Sequence, residues 1–237
     1  MERKAQERPL DLEWARDVEE AVRSRRSVRA YSDRPVPRAL IERLLELAGR
    51  APSGTNIQPW RVSVFTGKGL EALTRAMQRA FLENEPGHAR EYDYYTEPLS
   101  EPYLARRRAC GWGLYGLLGI GRGDFAASRA HHARNYEFFG APVGLVFTID
   151  RTLAIGSWLD YGMFLQTLML AARRFGLHTC PQAAIASYPR IVRVHAGLGE
   201  EVVVVCGMAL GYARADERIN AFQPERIPVS DFATFIE

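Results

Sequence analysis

Three stretches of the chain combine residue types that could bind a charged ring compound. The first is Ala51-Pro52-Ser53-Gly54-Thr55-Asn56-Ile57-Gln58-Pro59-Trp60. Pro52 forces Ala51 out of the helical region, and Gly54 lets a backbone come close to whatever lies above it. Ser53, Thr55, Asn56 and Gln58 supply both donors and acceptors, so the loop can hold a polar heterocycle. The same residue types also make ordinary helix-to-strand turns, and taken alone the stretch leaves both readings open. The second stretch, Arg25-Arg26-Ser27-Val28-Arg29, puts three guanidiniums and a hydroxyl at the end of the first helix. That concentration suits a phosphate and an electron-rich ring. In the third, Cys180-Pro181-Gln182-Ala183, Pro181 has no N–H, which leaves those of Gln182 and Ala183 to face a ring atom.

Regular elements must position these groups. Asp11 is the expected N-cap of a first helix whose apolar residues Leu12, Ala15, Val18, Ala21 and Val22 recur at helical spacing and deliver the arginines. A second helix starts after Pro37, with Ile41, Leu44, Leu45 and Ala48 on one face. Trp60 to Thr66 alternates as a strand and Leu70 to Phe81 is helical. Asn84 to Pro102 holds five acidic residues, three prolines and Tyr92, Tyr94 and Tyr95, with no period of either kind, and reads as a mobile excursion or lid. A helix follows from Tyr103, in which Trp112 is expected to pack. Val143 to Ile149 and Val202 to Leu210 read as central strands. Ser157 to Phe175 is a helix apolar nearly all round, stopped by Gly176 at C′, and belongs at the centre or at a subunit interface. Gly162 inside it points to close helix approach or a nearby ligand. Phe222, Phe232, Phe235 and Ile236 make the tail too apolar to lie free.

Composition narrows the classes. The chain has 237 residues, 47% apolar and 25% charged, with net charge +3, as in a globular protein. Only Lys4 and Lys68 are lysines, so the positive charge is nearly all arginine. No zinc-finger spacing or basic heptad helix supports nucleic-acid binding. Cys110, Cys180 and Cys206 are far apart, against a disulfide framework or a zinc site. The charged start and the lack of a run of about 20 apolar residues imply a soluble cytoplasmic protein without membrane contact. Gly119-Ile120-Gly121-Arg122-Gly123-Asp124 follows a helical rather than a strand segment, so it is a loop and not a dinucleotide fingerprint. His131 and His132 are adjacent on a helix and expected to face solvent. Cys180 is expected to be a small buried thiol.

The Arg25 to Arg29 element followed by the Pro52 to Trp60 motif resembles the nitroreductase family of FMN enzymes. Tyr136 to Pro142, Leu159 to Gly176, Cys180-Pro181-Gln182 and Val203 to Tyr212 resemble that family's runs in the same order. The resemblance implies one α+β domain over residues 1–237, with a central, mainly antiparallel sheet surrounded by helices. An insert at about 84–135 would cover the substrate side, and the C-terminal tail would be exchanged in a homodimer. It implies FMN as cofactor, with Arg25, Arg26 and Arg226 at the phosphate and Arg29 at N1 and O2. Ser27 and Pro52 belong to the same motifs. Ser53, Gly54 and Asn56 would reach the ring or ribityl chain from the other subunit, and Pro181, Gln182 and Ala183 would lie beside N5. The implied activity is hydride uptake from NADH or NADPH and ping-pong reduction of a nitroaromatic, quinone or similar acceptor, with no metal. A dehalogenase or flavin-fragmenting enzyme on the same fold, or a flavin-binding module without turnover, stays open.

Overall fold

The computed structural model describes residues 13–237. Its helices are α1 (Val18–Ser24), α2 (Arg38–Ala48), α3 (Gly67–Leu82), α4 (Tyr103–Leu118), α5 (Phe125–Ala133), α6 (Ile155–Arg174) and α7 (Pro189–Ala196). They surround a four-stranded sheet of β1 (Arg61–Thr66), β2 (Val143–Asp150), β3 (His178–Gln182) and β4 (Val202–Gly211), ordered β1-β2-β4-β3. Every pairing is antiparallel, which is the expected α+β architecture.

β2 and β4 are buried along almost their whole length because both faces of the sheet are covered. On one face Leu44 of α2 and Phe164 and Leu168 of α6 pack on Leu145, Phe147 and Met208. On the other, Leu73 and Met77 of α3 and Val192 of α7 join Phe138, Val146 and Val204. The ladder slips between Phe147 and Thr148, where β4 carries Val205 as an extra residue. Alternation therefore changes phase. Val203 and Val205 face the α6 side before the bulge, and Cys206, Met208 and Leu210 face it afterwards.

Several boundaries differ from the sequence expectation. The N-cap of α1 is Asp17, whose carboxylate accepts from the Glu20 N–H at 2.8 Å, while Asp11 and Leu12 lie outside the described residues. β3 and α7 were not foreseen. β3 is a short edge strand containing Pro181, and α7 opens on Pro189 at its first turn, so proline obscured both.

The start of the insert is tied down rather than lid-like. α3 ends in a Schellman motif: Asn84, at φ 52°, donates to Phe81 O, and Glu85 N–H to Ala80 O. Arg129 of α5 donates to Phe81 O, Leu82 O and Asn84 Oδ1. Glu91 accepts from both Arg151 and Arg193, and Tyr92 donates to Val205 O at 2.5 Å, beyond the point where β3 stops pairing with β4. α4, by contrast, buries no residue. Trp112, expected to pack, is 45% exposed and meets Arg122 and Tyr115.

α6 ends at Gly176 as expected, with φ 67° and the bonds of a Schellman cap. Gly162 borders open space, so no close approach within the chain accounts for it. With Ile155 (86% exposed) and Leu159 (72%), it lies on an uncovered stripe of α6. Among the described residues, no helix is long and apolar enough to cross a membrane.

Candidate functional site

The Arg-rich element crosses the end of β3. Ser27 bridges Thr179, and the Val28 N–H donates to Thr179 O at 3.1 Å. Two side chains hold it from either side. Buried Arg173, near the end of α6, donates to Ser24 Oγ, Leu177 O, Glu13 O and the His178 imidazole. Buried Asn220 accepts the N–H groups of Arg29 and Ala30 at 2.8 and 3.1 Å and donates to Ala30 O and Arg214 O. A bent backbone with inward N–H groups is thereby satisfied by one amide from the tail.

Arg25 is half-buried, and burial, followed by the charge of Arg226, lowers its pKa against a raising influence of Cys180. Two like charges are thus close enough to disfavour each other, and among the described residues neither has a carboxylate within ion-pair distance. Such a pair is suited to a dianion. Arg226 donates to the carbonyls of Pro224 and Glu225. Arg26 is buried and reaches Asn220 O at 3.5 Å. Arg29 is partly buried, its guanidinium folded onto Ser27 O at 3.1 Å. α5 overhangs this end of the sheet, since Arg134 donates to Arg29 O. His131 lies between Tyr115 and Phe139 rather than in solvent. Burial, followed by the charges of Arg29, His132 and Arg134, pushes its pKa down to about 4, so it is neutral at pH 7.

In the third stretch Pro181 is exposed, Ala183 is half-buried and Gln182 is buried. The Gln182 amide donates to Asn135 O at 2.7 Å, while its own Oε1 is buried without a partner. Burial pushes the Cys180 thiol up, outweighing Arg29, a bond with Ser27, and Arg25. It is the inert thiol that the sequence implies.

The loop after α2 is built differently. Gly54 to Asn56 form a turn of 3₁₀-helix in which Thr55 (φ 49°) and Asn56 (φ 60°), followed by Gln58 (φ 52°), are left-handed without being glycine. A β-branched residue there is a true outlier, of the kind found where surroundings fix a functional conformation. Ser53 Oγ accepts the Gln58 N–H at 3.0 Å. The Gly54 N–H donates to Asp160 Oδ2 at 3.1 Å, and Trp60 stacks on Phe164 at 4.9 Å. Pro52 and the stretch from Gly54 to Gln58 are exposed.

The chain therefore brings Arg25, Ser27, Arg29, Arg226 and Cys180 together but holds the Ser/Asn loop elsewhere. The loop is fastened to α6 at Asp160 and the Arg-rich element at Arg173. Those anchors are thirteen residues apart, roughly 20 Å at about 1.5 Å per residue. Sequence reasoning missed Asn220, Asp160 and Arg173. Asp160 and Arg173 left a signal, as charges in an otherwise apolar helix; Asn220, one amide in a polar tail, left none. Among the described residues no group of three or more His, Cys, Asp and Glu is placed to hold a metal.

The model of the Nitroreductase family matches residues 22–212. A 4-nitrobenzoate reductase from Nocardioides sp. (strain LMS-CY) is 41% identical over 218 residues, covering 91% of this chain and 88% of that protein. A chloronitrobenzene nitroreductase from Comamonas testosteroni is 38% identical over 219 residues, 92% of this chain and 96% of that one. Among solved structures, the FMN and NADPH-dependent nitroreductase NfnB from Sphigopyxis sp. strain HMH superposes with a TM-score of 0.90 at 39% identity, covering 93% and 99% of the two chains.

Proposed function

Because the chain belongs to the nitroreductase family, we propose that it is an FMN-dependent NAD(P)H oxidoreductase that reduces nitroaromatic compounds, with quinones as further acceptors. The observation that carries the cofactor assignment is the unneutralised pair of Arg25 and Arg226. It fits a terminal phosphate, and the orphaned Gln182 Oε1 fits a polar ring edge.

Bound there, FMN would supply the two-electron transfer from NAD(P)H to the acceptor. The chain's own residues hold and tune it. Arg25 and Arg226, with Arg26 and Ser27 beside them, balance the phosphate charge. Arg29 sets a cation against the pyrimidine edge, where negative charge gathers on reduction. Pro181, Gln182 and Ala183 line the N5 side. Neutral His131 adds an imidazole on the α5 side without adding charge. Donor and acceptor use the same space in turn, hence ping-pong turnover.

The active unit in this reading is a cytoplasmic homodimer in which Pro52, Ser53, Gly54 and Asn56 serve the flavin of the other subunit. The roughly 20 Å between anchors supports this. So do the uncovered stripe of α6 and a tail whose Phe235 and Ile236 are 80% and 93% exposed. Residues 1–237 then act as one FMN-binding unit with the insert at 84–135 as its variable part. The test is to identify the heat-released cofactor by chromatography and to follow NADPH and NADH oxidation with 4-nitrobenzoate. FAD in place of FMN, or no oxidation above the acceptor-free rate, would reject the assignment. Deleting residues 224–237 should cost both dimer mass and flavin; a truncated monomer with stoichiometric FMN would reject the shared site.

A further inference from the structure

A shallow, open pocket lies away from the residues proposed to hold the flavin, between the end of α3, the root of the insert and α7. Its volume is about 250 Å³, and Arg79, Arg190 and His195 contribute polar groups to its wall. That is below the range of about 300–1,000 Å³ for drug-sized ligands, so it takes a single ring rather than a dinucleotide.

The charges around it are unbalanced. Glu85 is the one acid in the wall, and it is engaged by the His88 imidazole at 3.3 Å. Among the described residues neither Arg79 nor Arg190 has a carboxylate within ion-pair distance. Arg190 lies beside the root of the insert. A Cβ on Gly87, which sits at φ 79°, would come within 2.9 Å of its Nη1, so the guanidinium lies against a backbone that only glycine leaves open. His195 is oriented by the contact of its Nδ1 with Ile191 O at 2.9 Å, which leaves Nε2 as its free polar atom. Ala76, Ile191 and the 78% exposed Val194 add an apolar side. The floor is fixed too, since Glu85 and Asn84 are the capping residues of α3.

We propose that this cavity binds a small aromatic carboxylate, with the carboxylate against Arg190 and Arg79 and the ring on Ile191 and Val194. Two guanidiniums that are not ion-paired to Glu85, the one acid of the wall, beside an apolar side match such a ligand's two ends.

The experiment is a fluorine NMR titration of the protein as isolated with 4-fluorobenzoate, its visible absorption recorded in parallel to mark binding at the flavin. The proposal expects a saturable class of sites that leaves the visible spectrum unchanged. Arg190→Ala and Arg79→Ala, both at exposed positions, should weaken it about tenfold or more, and Gly87→Ala should weaken it by displacing Arg190. Arg226→Ala should leave it unaffected. The idea is overturned if all binding perturbs the visible spectrum, if it is lost with Arg226→Ala, or if the Arg79 and Arg190 variants bind as the parent does. Displacement by an equal concentration of sulfate would overturn the ring-binding half and leave a simple anion site in its place.

Discussion

Ser24 to Ala30 are held by the side chains of Arg173, at Ser24, and Asn220, at Arg29 and Ala30, with several of their polar groups bonded within the chain. Gly54 to Gln58, which carry an equally distinctive motif, are exposed, left-handed at three non-glycine positions, and fastened to the body by the Asp160 carboxylate. One region is shaped by burial; the other is shaped by local turn chemistry and one anchor. In the proposed dimer, the binding half that serves a protomer's own site is built into its core, and the half offered to the other subunit holds its form at the surface, at the cost of strain.

The comparison can be broken most severely at Asn220. Asn220→Ala leaves the N–H groups of Arg29 and Ala30 and the carbonyl of Arg214 without this partner, while Ala30 O keeps the Arg214 N–H, and should cost about 3 kcal/mol. Urea unfolding at fixed protein concentration measures it, and a loss under about 1 kcal/mol would show that the latch is dispensable. At the loop, Asp160→Ala removes one acceptor from Gly54 and should cost only about 1–2 kcal/mol. Its flavin content should fall by more than that stability change implies. Proportionate losses in both would mean that Asp160 supports α6 and not the loop.

Strain itself is probed by Thr55→Gly. Relief of a left-handed β-branched residue and the added freedom of the unfolded chain oppose each other, so the midpoint should rise by no more than about 1 kcal/mol or stay level. A drop of that size would place the Thr55 side chain in a contact that outweighs its backbone cost. A separate effect is in pH. His131 binds a proton near 6.5 when unfolded but only at about 4 when folded, so the native state loses stability as pH falls through that window. His131→Gln should flatten this part of the dependence when midpoints at pH 7 and pH 5 are compared. Identical slopes would assign the acid sensitivity to other groups. Glu91 is not one of them between pH 7 and pH 5: against the opposing effect of burial, hydrogen bonds from Arg193 and Arg151 hold its carboxyl below the usual range, so its contribution is lost only in more acid solution.

The sheet and the long helices were legible because β2, β4, α2 and α6 carry their period or their apolar run openly. The two binding motifs were legible as residue types. Their geometry was not: nothing at Arg25 to Ala30 announces an amide in the tail, and the polar tract from Asn84 hides a helix cap and the bonds of Glu91 and Tyr92. Side-chain anchors between distant segments leave no local pattern, whereas periodicity does.

The extra residue in β4 bears on how chain length can vary. Deleting Val205 would straighten the ladder and keep Val202 to Val204 on their present faces, because Val204 already pairs with Thr148 and Cys206 with Phe147, whereas deleting Met208 from the regular part of the ladder would turn Ala209 and Leu210 to the opposite faces. A one-residue deletion there is a frameshift in space, with no neighbouring loop to absorb it. Along α4, where no residue is buried, a deletion of a whole turn disturbs no packed face. Related chains should therefore keep the regular part of β4 at constant length and vary along α4, so that the same deletion inverts a packed face at one address and touches none at the other.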